Sequence, residues 1–223
     1  MLAVVSVFAG SIVDCVNKVR YYISGLADND FTNQMPRTVL RRNDEIGDMG
    51  RHAVEVAETI KELIATDGLT GLYNRRAGRT ELAKCMEEVL RDRDRSVTVA
   101  MGDIDFFKQI NDHYGHECGD KVLVTIAGIF KKHLEKKGFP IRWGGEEFLL
   151  VFKEDGETAL SSLQKIVEEI CNKTFDYGDC RFSVTITFGV ALYDGEDNMD
   201  ALIKKADDLL YRGKTEGRNR IVV

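Results

Sequence analysis

Apolar residues recur in two different rhythms along the chain, and the first occupies its amino-terminal third. Between Ile12 and Leu26 they fall at Ile12, Val16, Val19, Ile23 and Leu26, and later at Ile46, Met49, Ala53, Val56, Ile60 and Leu63. Steps of three and four residues draw one apolar stripe along a helix and make a heptad seam. Each segment therefore predicts a helix, and the second predicts pairing between two copies of itself. Asp28-Asn29-Asp30 breaks the first helix, the stretch to Asn43 has no period and contains Pro36, and Asn43 or Asp44 can cap the second. Ahead of these helices, residues 1–13 carry no charge until Asp14. That run is shorter than the roughly 20 residues of a membrane span and lacks the basic start of a secretory signal. It reads either as the cytoplasmic end of a transmembrane helix begun upstream or as an ordinary buried helix end.

Past residue 66 strands and helices alternate. A helix is predicted over Glu81–Arg91, a buried strand over Ser96–Met101, and a helix from about Gly119 to Lys137 with Val122, Ile126, Ile129, Phe130 and Leu134 on its apolar side. Two apolar runs, Phe139-Pro140-Ile141 and Phe148-Leu149-Leu150-Val151-Phe152, flank Trp143-Gly144-Gly145-Glu146-Glu147. Glycine supplies the positive φ of a tight two-residue loop without a Cβ clash, so these runs predict a β-hairpin. A helix over Glu157–Asn172, one long strand or two over Phe182–Tyr193, a helix over Met199–Gly213 and a short strand over Arg220–Val223 complete the chain. Gly189 inside the long strand marks a close approach of backbone. The alternation predicts an antiparallel-containing sheet flanked by helices.

The chemistry gathers at carboxylates. Glu146 and Glu147 stand at the hairpin tip, and the strand through Met101 runs into Gly102-Asp103-Ile104-Asp105-Phe106-Phe107-Lys108. Acidic groups at a strand end beside acidic groups on a hairpin make a hard-oxygen cage suited to Mg²⁺, and their repulsion is costly without a cation. Alone, the hairpin pair also reads as a solvated turn with charged ends. Asp105, two residues beyond Asp103, points the same way if the strand continues that far.

Composition narrows the classes. The 223 residues suffice for one sizeable core plus a smaller module, and 43% apolar with 30% charged residues describes a folded soluble chain. A net charge of −6 argues against a nucleic-acid binder, whose affinity needs surplus Lys and Arg. A nucleotide substrate therefore arrives with its own metal ion. Cys15, Cys85, Cys118, Cys171 and Cys180 show neither paired nor zinc spacing and read as reduced thiols in a cytoplasmic compartment, Cys118 as a small filler.

Four motifs in order resemble those of the GGDEF-domain diguanylate cyclases, in the GGEEF variant, over about residues 66–223. Asp67-Gly68-Leu69-Thr70-Gly71-Leu72-Tyr73-Asn74-Arg75-Arg76 resembles the family's opening motif. Asp103 to Lys108, then Asn111-Asp112 and Gly115-His116-Glu117-Cys118-Gly119-Asp120, resembles its metal and nucleobase segment. Gly144 to Phe148 is the name-giving hairpin, and Lys214-Thr215-Glu216-Gly217-Arg218-Asn219 resembles the closing phosphate-contact motif. The resemblance implies an α/β (α+β) fold: a palm-type mixed sheet flanked by helices, related to the nucleotidyl cyclases and preceded by a helical stalk. It also implies a nucleotidyltransferase that condenses two GTP into cyclic di-GMP and pyrophosphate in a bacterial signalling protein.

It further implies roles residue by residue. Asp103 and Glu146 would be side-chain ligands of Mg²⁺, with Mn²⁺ an alternative, and the Ile104 carbonyl a third ligand. Glu146 would lie near the attacking hydroxyl, with Glu147 supporting. Asn111 and Asp120 would read the guanine, and His116 would lie against ribose or base unless it is a structural histidine of that loop. Phe107 and Lys108 would bring backbone and charge to the phosphates, and Lys214 and Arg218, at i and i+4, would clamp the triphosphate. Family members that make a mixed adenine and guanine dinucleotide replace the carboxylate at the position of Asp120, which disfavours that product. The family's Arg-x-x-Asp inhibition motif falls here on Glu135-Lys136-Lys137-Gly138, so the product is not expected to inhibit through it. Residues 14–66 resemble a HAMP signalling module, which places a homodimer's helices just inside the membrane of an anchored parent protein; a plain dimerising hairpin is the simpler reading. The expected division is 1–13 as a membrane-helix end, 14–66 as the signalling segment and 67–223 as the cyclase domain.

Overall fold

The computed structural model describes residues 2–27, 33–92, 94–178 and 180–223, with residues 2–9 and 61–63 described through their backbone only. The chain divides into two compact units, residues 1–64 and residues 65–223.

The first unit contains α1 (Leu2–Ala27), the short α2 (Arg37–Leu40) and α3 (Glu45–Ala65). The expected break at Asp28-Asn29-Asp30 lies outside the described residues. Asp44 is the cap: its Oδ1 accepts the Gly47 amide at 3.2 Å. Arg51 Nη1 donates to the Leu40 and Arg42 carbonyls at 2.9 and 3.0 Å and ties the connector to α3. The core is Cys15, Val19, Tyr22, Met35, Val39 and Ala57, with Leu26, Leu40, Ile46, Ala53 and Val54 against it. The predicted seam is thereby split. Val19, Leu26, Ile46 and Ala53 face this core, whereas Val16, Ile23, Met49 and Val56 are exposed. The buried stripe of α1 runs through Cys15, Val19 and Tyr22, so it only partly overlaps the heptad. Residues 1–13, expected to end a membrane helix, begin with Met1 outside the described residues and otherwise belong to α1. Among the described residues no helix is long and apolar enough to cross a membrane.

In the second unit β1 (Tyr73–Asn74), α4 (Arg75–Arg91), β2 (Thr98–Ile104), α5 (Phe107–Tyr114), α6 (His116–Leu134), β3 (Gly138–Gly144) and β4 (Glu147–Phe152) come first. Then follow α7 (Gly156–Cys171), β5 (Thr174–Tyr177), β6 (Cys180–Ser183), β7 (Ile186–Leu192), α8 (Met199–Thr215) and β8 (Ile221–Val222). The sheet order is β1-β3-β4-β2-β7-β8, antiparallel in the middle and parallel at both edges. Both faces are covered, which explains the unbroken apolar runs. Ala100, Ile104, Phe148, Leu150 and Phe152 face α6 and α7, while Val99, Met101, Leu149 and Val151 face α4 and α8. Gly189 does permit close approach: a Cβ there would lie 2.1 Å from the Ala206 carbonyl oxygen and 2.2 Å from the Leu210 amide nitrogen. α8 therefore lies flat on β7.

Several boundaries differ from the expected ones. α4 starts at Arg75, six residues' worth of chain before Glu81, because the Asn74 side chain caps it by accepting the Ala77 amide at 3.0 Å. α6 starts at His116 and ends at Leu134, inside the predicted end at Lys137. The long strand is two, β6 and β7, and β6 pairs with β5 in a separate two-stranded sheet. α5 was not anticipated, although Phe107, Ile110 and Tyr114 have helical spacing; its N-cap, Phe106, is left-handed with φ 58° and offers no capping side chain.

Candidate active site

The expected carboxylates converge where β2 ends against the β3–β4 hairpin. Asp103 is the register partner of Glu147 on β4, and the Ile104 amide approaches the Glu146 carbonyl at 3.4 Å. Glu146 occupies the turn itself, after Gly145 with φ 42°, while Glu147 begins the strand. Asp103 is buried, with its side chain 13% exposed. Burial pushes its carboxyl above the ordinary range; the Lys214 ammonium pulls it down, and the Glu146 and Glu147 charges push it up.

The cation beside this cluster is Lys214, whose Nζ lies 2.8 Å from Asp103 Oδ2. Close seating of α8 on β7 brings its last turn to this end of the sheet. A divalent ion at Asp103 must therefore exchange with that ion pair. Carboxylate and carbonyl oxygens are the right donors for Mg²⁺. The expected ligand set holds only two carboxylate side chains beside a backbone carbonyl, and among the described residues no three His, Cys, Asp or Glu side chains converge on one metal position.

Asp105 does not join the cluster. Its Oδ1 accepts Thr187 Oγ1 at 2.7 Å, and its Oδ2 accepts Thr185 Oγ1 at 2.7 Å and the Asn219 amide at 3.0 Å. β2 ends at Ile104, so the strand alternation that would align Asp105 with Asp103 stops short of it.

Asn111 lies on α5 and Asp120 on α6, helices that pack together. Asn111 Oδ1 is buried without a hydrogen-bond partner among the described residues. Such an atom is costly unless a ligand or an ordered water meets it. Gly119 makes the room, since a Cβ there would stand 2.0 Å from that oxygen. Asp120 and His116 are exposed. Phe107 is buried and can offer only backbone, whereas Lys108 is exposed. Cys118 is buried, and burial pushes its thiol up, as for an inert filler.

Lys214 and Arg218 are not successive turns of one helix. α8 ends at Thr215, and Gly217, Arg218 and Asn219 all have positive φ, at 117°, 61° and 47°. The Arg218 guanidinium instead stacks 4.6 Å over the Phe106 ring.

One part of the site had no expected role. Arg142 donates from Nε and Nη2 to the Gly145 carbonyl at 3.1 and 2.9 Å, and from Nη1 to Asp67 Oδ1 at 2.9 Å. That Asp67 oxygen also accepts the Thr70 amide and hydroxyl at 2.9 and 2.7 Å. The opening motif thus grips the hairpin tip that carries Glu146. The Asp67-to-Thr70 spacing signals a local turn, but nothing in the sequence points to its distant arginine.

The family described as "Diguanylate cyclase, GGDEF domain" matches residues 64–220. Response regulator PleD of Caulobacter vibrioides is 38% identical over 168 residues, 72% of this chain and 36% of that protein. Diguanylate cyclase VdcA of Vibrio cholerae is 30% identical over 221 residues, 95% of this chain and 61% of that protein. The chain thus spans about a third to three fifths of the length of these relatives. The crystal structure of the coiled coil and GGDEF domain of DgcB from Caulobacter crescentus, in complex with c-di-GMP, superposes with a TM-score of 0.72 at 28% identity, covering 77% of this chain and 92% of that one.

Proposed function

The chain belongs to the GGDEF family of diguanylate cyclases, and we propose on that premise that residues 65–223 condense two GTP molecules into cyclic di-GMP with release of two pyrophosphates. The observation that carries the reading is the meeting of Asp103, Glu146 and Glu147 at one sheet end, and a buried, unpartnered Asn111 oxygen among the described residues supports it.

In the reaction the 3′-oxygen of each GTP bonds to the α-phosphorus of the other, and the bond from that phosphorus to the bridging oxygen of pyrophosphate breaks. Two domains must therefore face each other, one GTP in each. Mg²⁺, or Mn²⁺, held by the Asp103 and Glu146 carboxylates and the Ile104 carbonyl, would supply charge neutralisation at the phosphoryl oxygens. Glu146, in the turn, accepts the proton of the attacking hydroxyl, and Glu147 supports it from the strand. Asn111 Oδ1 and the Asp120 carboxylate accept from the guanine N–H donors. His116, exposed at the start of α6, is free to lie on the ribose or base. The Phe107 backbone, Lys108, Lys214 and Arg218 hold the triphosphate, with Lys214 passing from Asp103 to the phosphates when the nucleotide arrives.

The helices of residues 14–66 act as a HAMP-like dimerising segment, with the outward stripe of Val16, Ile23, Met49 and Val56 meeting a second copy. Base selection tests the site. With Mg²⁺ the protein is expected to release pyrophosphate from GTP and at least about a hundredfold more slowly from ATP, because adenine leaves the guanine acceptors unpaired. Equal turnover of the two nucleotides would defeat the assignment of Asn111 and Asp120.

A further inference from the structure

Asp105 is a buried carboxylate that the reaction does not use. Two threonine hydroxyls and one backbone amide satisfy it, and no Lys or Arg contacts it among the described residues. Its own amide donates to the Thr185 carbonyl at 2.9 Å. Taking a carboxylate out of water is costly, so three converging donors at such a place hold something in position.

What they hold is the loop after α8. The Asn219 amide that reaches Asp105 belongs to the residue next to Arg218, and Phe106, under the Arg218 guanidinium, is the residue next to Asp105. Two adjacent pairs thus clasp each other, 105 with 219 through a hydrogen bond and 106 with 218 through a ring stack. Phe106, Arg218 and Asn219 are all left-handed, at φ 58°, 61° and 47°, a region that side-chain-bearing residues avoid unless their surroundings impose it. The Asn219 side chain is held too, its Oδ1 accepting from Cys171 Sγ at 3.4 Å at the end of α7. The stack covers one face of the guanidinium. Arg218 is half-buried, and no hydrogen bond from its guanidinium to the protein is found among the described residues, which leaves N–H donors for phosphate oxygens.

We propose that Asp105 is a positioning residue for the triphosphate: by holding the Asn219 amide it fixes Arg218 on the Phe106 ring with its N–H edge turned to the phosphates of GTP. The inference rests on the diguanylate cyclase reading and adds to it a division of labour within Asp103-Ile104-Asp105. Asp103 serves the reacting centre, and Asp105 serves substrate capture through a residue more than a hundred positions away in sequence.

The test is a double-mutant cycle read in KM for GTP and in kcat. Asp105→Asn keeps the shape and is expected to raise KM about threefold, Asp105→Ala about tenfold and Arg218→Ala about tenfold, with kcat changed by less than threefold in each. In the Arg218→Ala background either change at Asp105 should leave KM unaltered, because the guanidinium it positions is gone. Asp105→Ala tests the fold most severely; if it does not fold, Asp105→Asn with Arg218→Ala completes the cycle. In the same variants hydrogen exchange at the Asn219 amide should quicken, which reads the clasp without any turnover. Independent, multiplying effects of the two changes on KM would overturn the proposal, as would a loss of kcat at constant KM, which is the behaviour expected of Asp103. If the wild type makes no cyclic di-GMP, the enzyme reading falls, and the cycle is run on GTP affinity by calorimetry. Non-additive losses there uphold the clasp, and additive or absent losses overturn it.

Discussion

The two units of this chain treat their apolar residues in opposite ways. In residues 65–223 the sheet is covered on both faces, and β2 and β4 are buried almost throughout. In residues 1–64 a small core is filled, yet Val16, Ile23, Met49 and Val56 remain on the surface at heptad spacing. A unit that closes its own core stands alone, whereas one that leaves a stripe open is built for a second helix. The difference teaches where to test for control: residues 65–223 close their own core and carry the candidate site, whereas the open stripe of residues 1–64 is the surface on which the proposed pairing of two copies depends.

The sharpest way to break that comparison is to charge the open stripe. Met49→Glu with Val56→Glu should convert a dimer to a monomer by light scattering and lower cyclic di-GMP formation by about a hundredfold or more, leaving GTP binding intact. The same treatment of the closed unit behaves differently: Leu163→Ala, a fully buried position on α7, should destabilise it by about 3 kcal/mol with no change in association. Full turnover by a monomeric stripe variant would show that the stripe has no part in bringing sites together.

A smaller effect is expected where the opening motif grips the hairpin. Arg142→Ala removes the two hydrogen bonds that Arg142 donates to the Gly145 carbonyl and the one it donates to Asp67. Since the hairpin turn carries Glu146, kcat should fall about tenfold with less change in KM for GTP. A change confined to KM would mean that Arg142 serves binding and leaves the tip unaffected.

The smallest effect is in acid. Burial works against the Asp67 charge, but the Thr70 hydroxyl and amide and the Arg142 guanidinium outweigh it and hold the carboxyl below its ordinary range. A depressed folded-state pKa contributes stability that is present above the unfolded value of about 3.9 and is lost as pH falls through the folded one. Asp67→Asn should therefore destabilise the protein at neutral pH and lose that difference progressively below about pH 4. A stability gap that persists unchanged into acid would assign Asp67 a packing role and no electrostatic one.

Much of residues 65–223 was legible in the sequence because its signals are local. The Gly144-Gly145 step marked the hairpin, the double-sided burial of β4 left an unbroken apolar run, and Gly189 announced a close backbone approach, which the fold fills with α8. What stayed hidden depends on partners far apart in the chain. The pairing of Lys214 with Asp103, the grip of Arg142 on Asp67 and the three donors around Asp105 join segments that no period or cap relates. α5 was obscured for another reason: it starts from a left-handed phenylalanine, where a helix start normally shows a polar cap. The stripe in residues 1–64 was visible as a heptad, but only the fold shows that half of it is spent inside the unit.

The account rests on the carboxylates at the hairpin tip making cyclic di-GMP, and one incubation tests that most directly. Purified protein with GTP and Mg²⁺, its products resolved by chromatography, is compared with Glu146→Ala under the same conditions. Cyclic di-GMP and pyrophosphate from the unaltered chain, with formation reduced at least about a thousandfold in the variant while GTP still binds, is the predicted result. Equal product from both proteins would contradict the assignment of Glu146, and no product from either would contradict the activity itself.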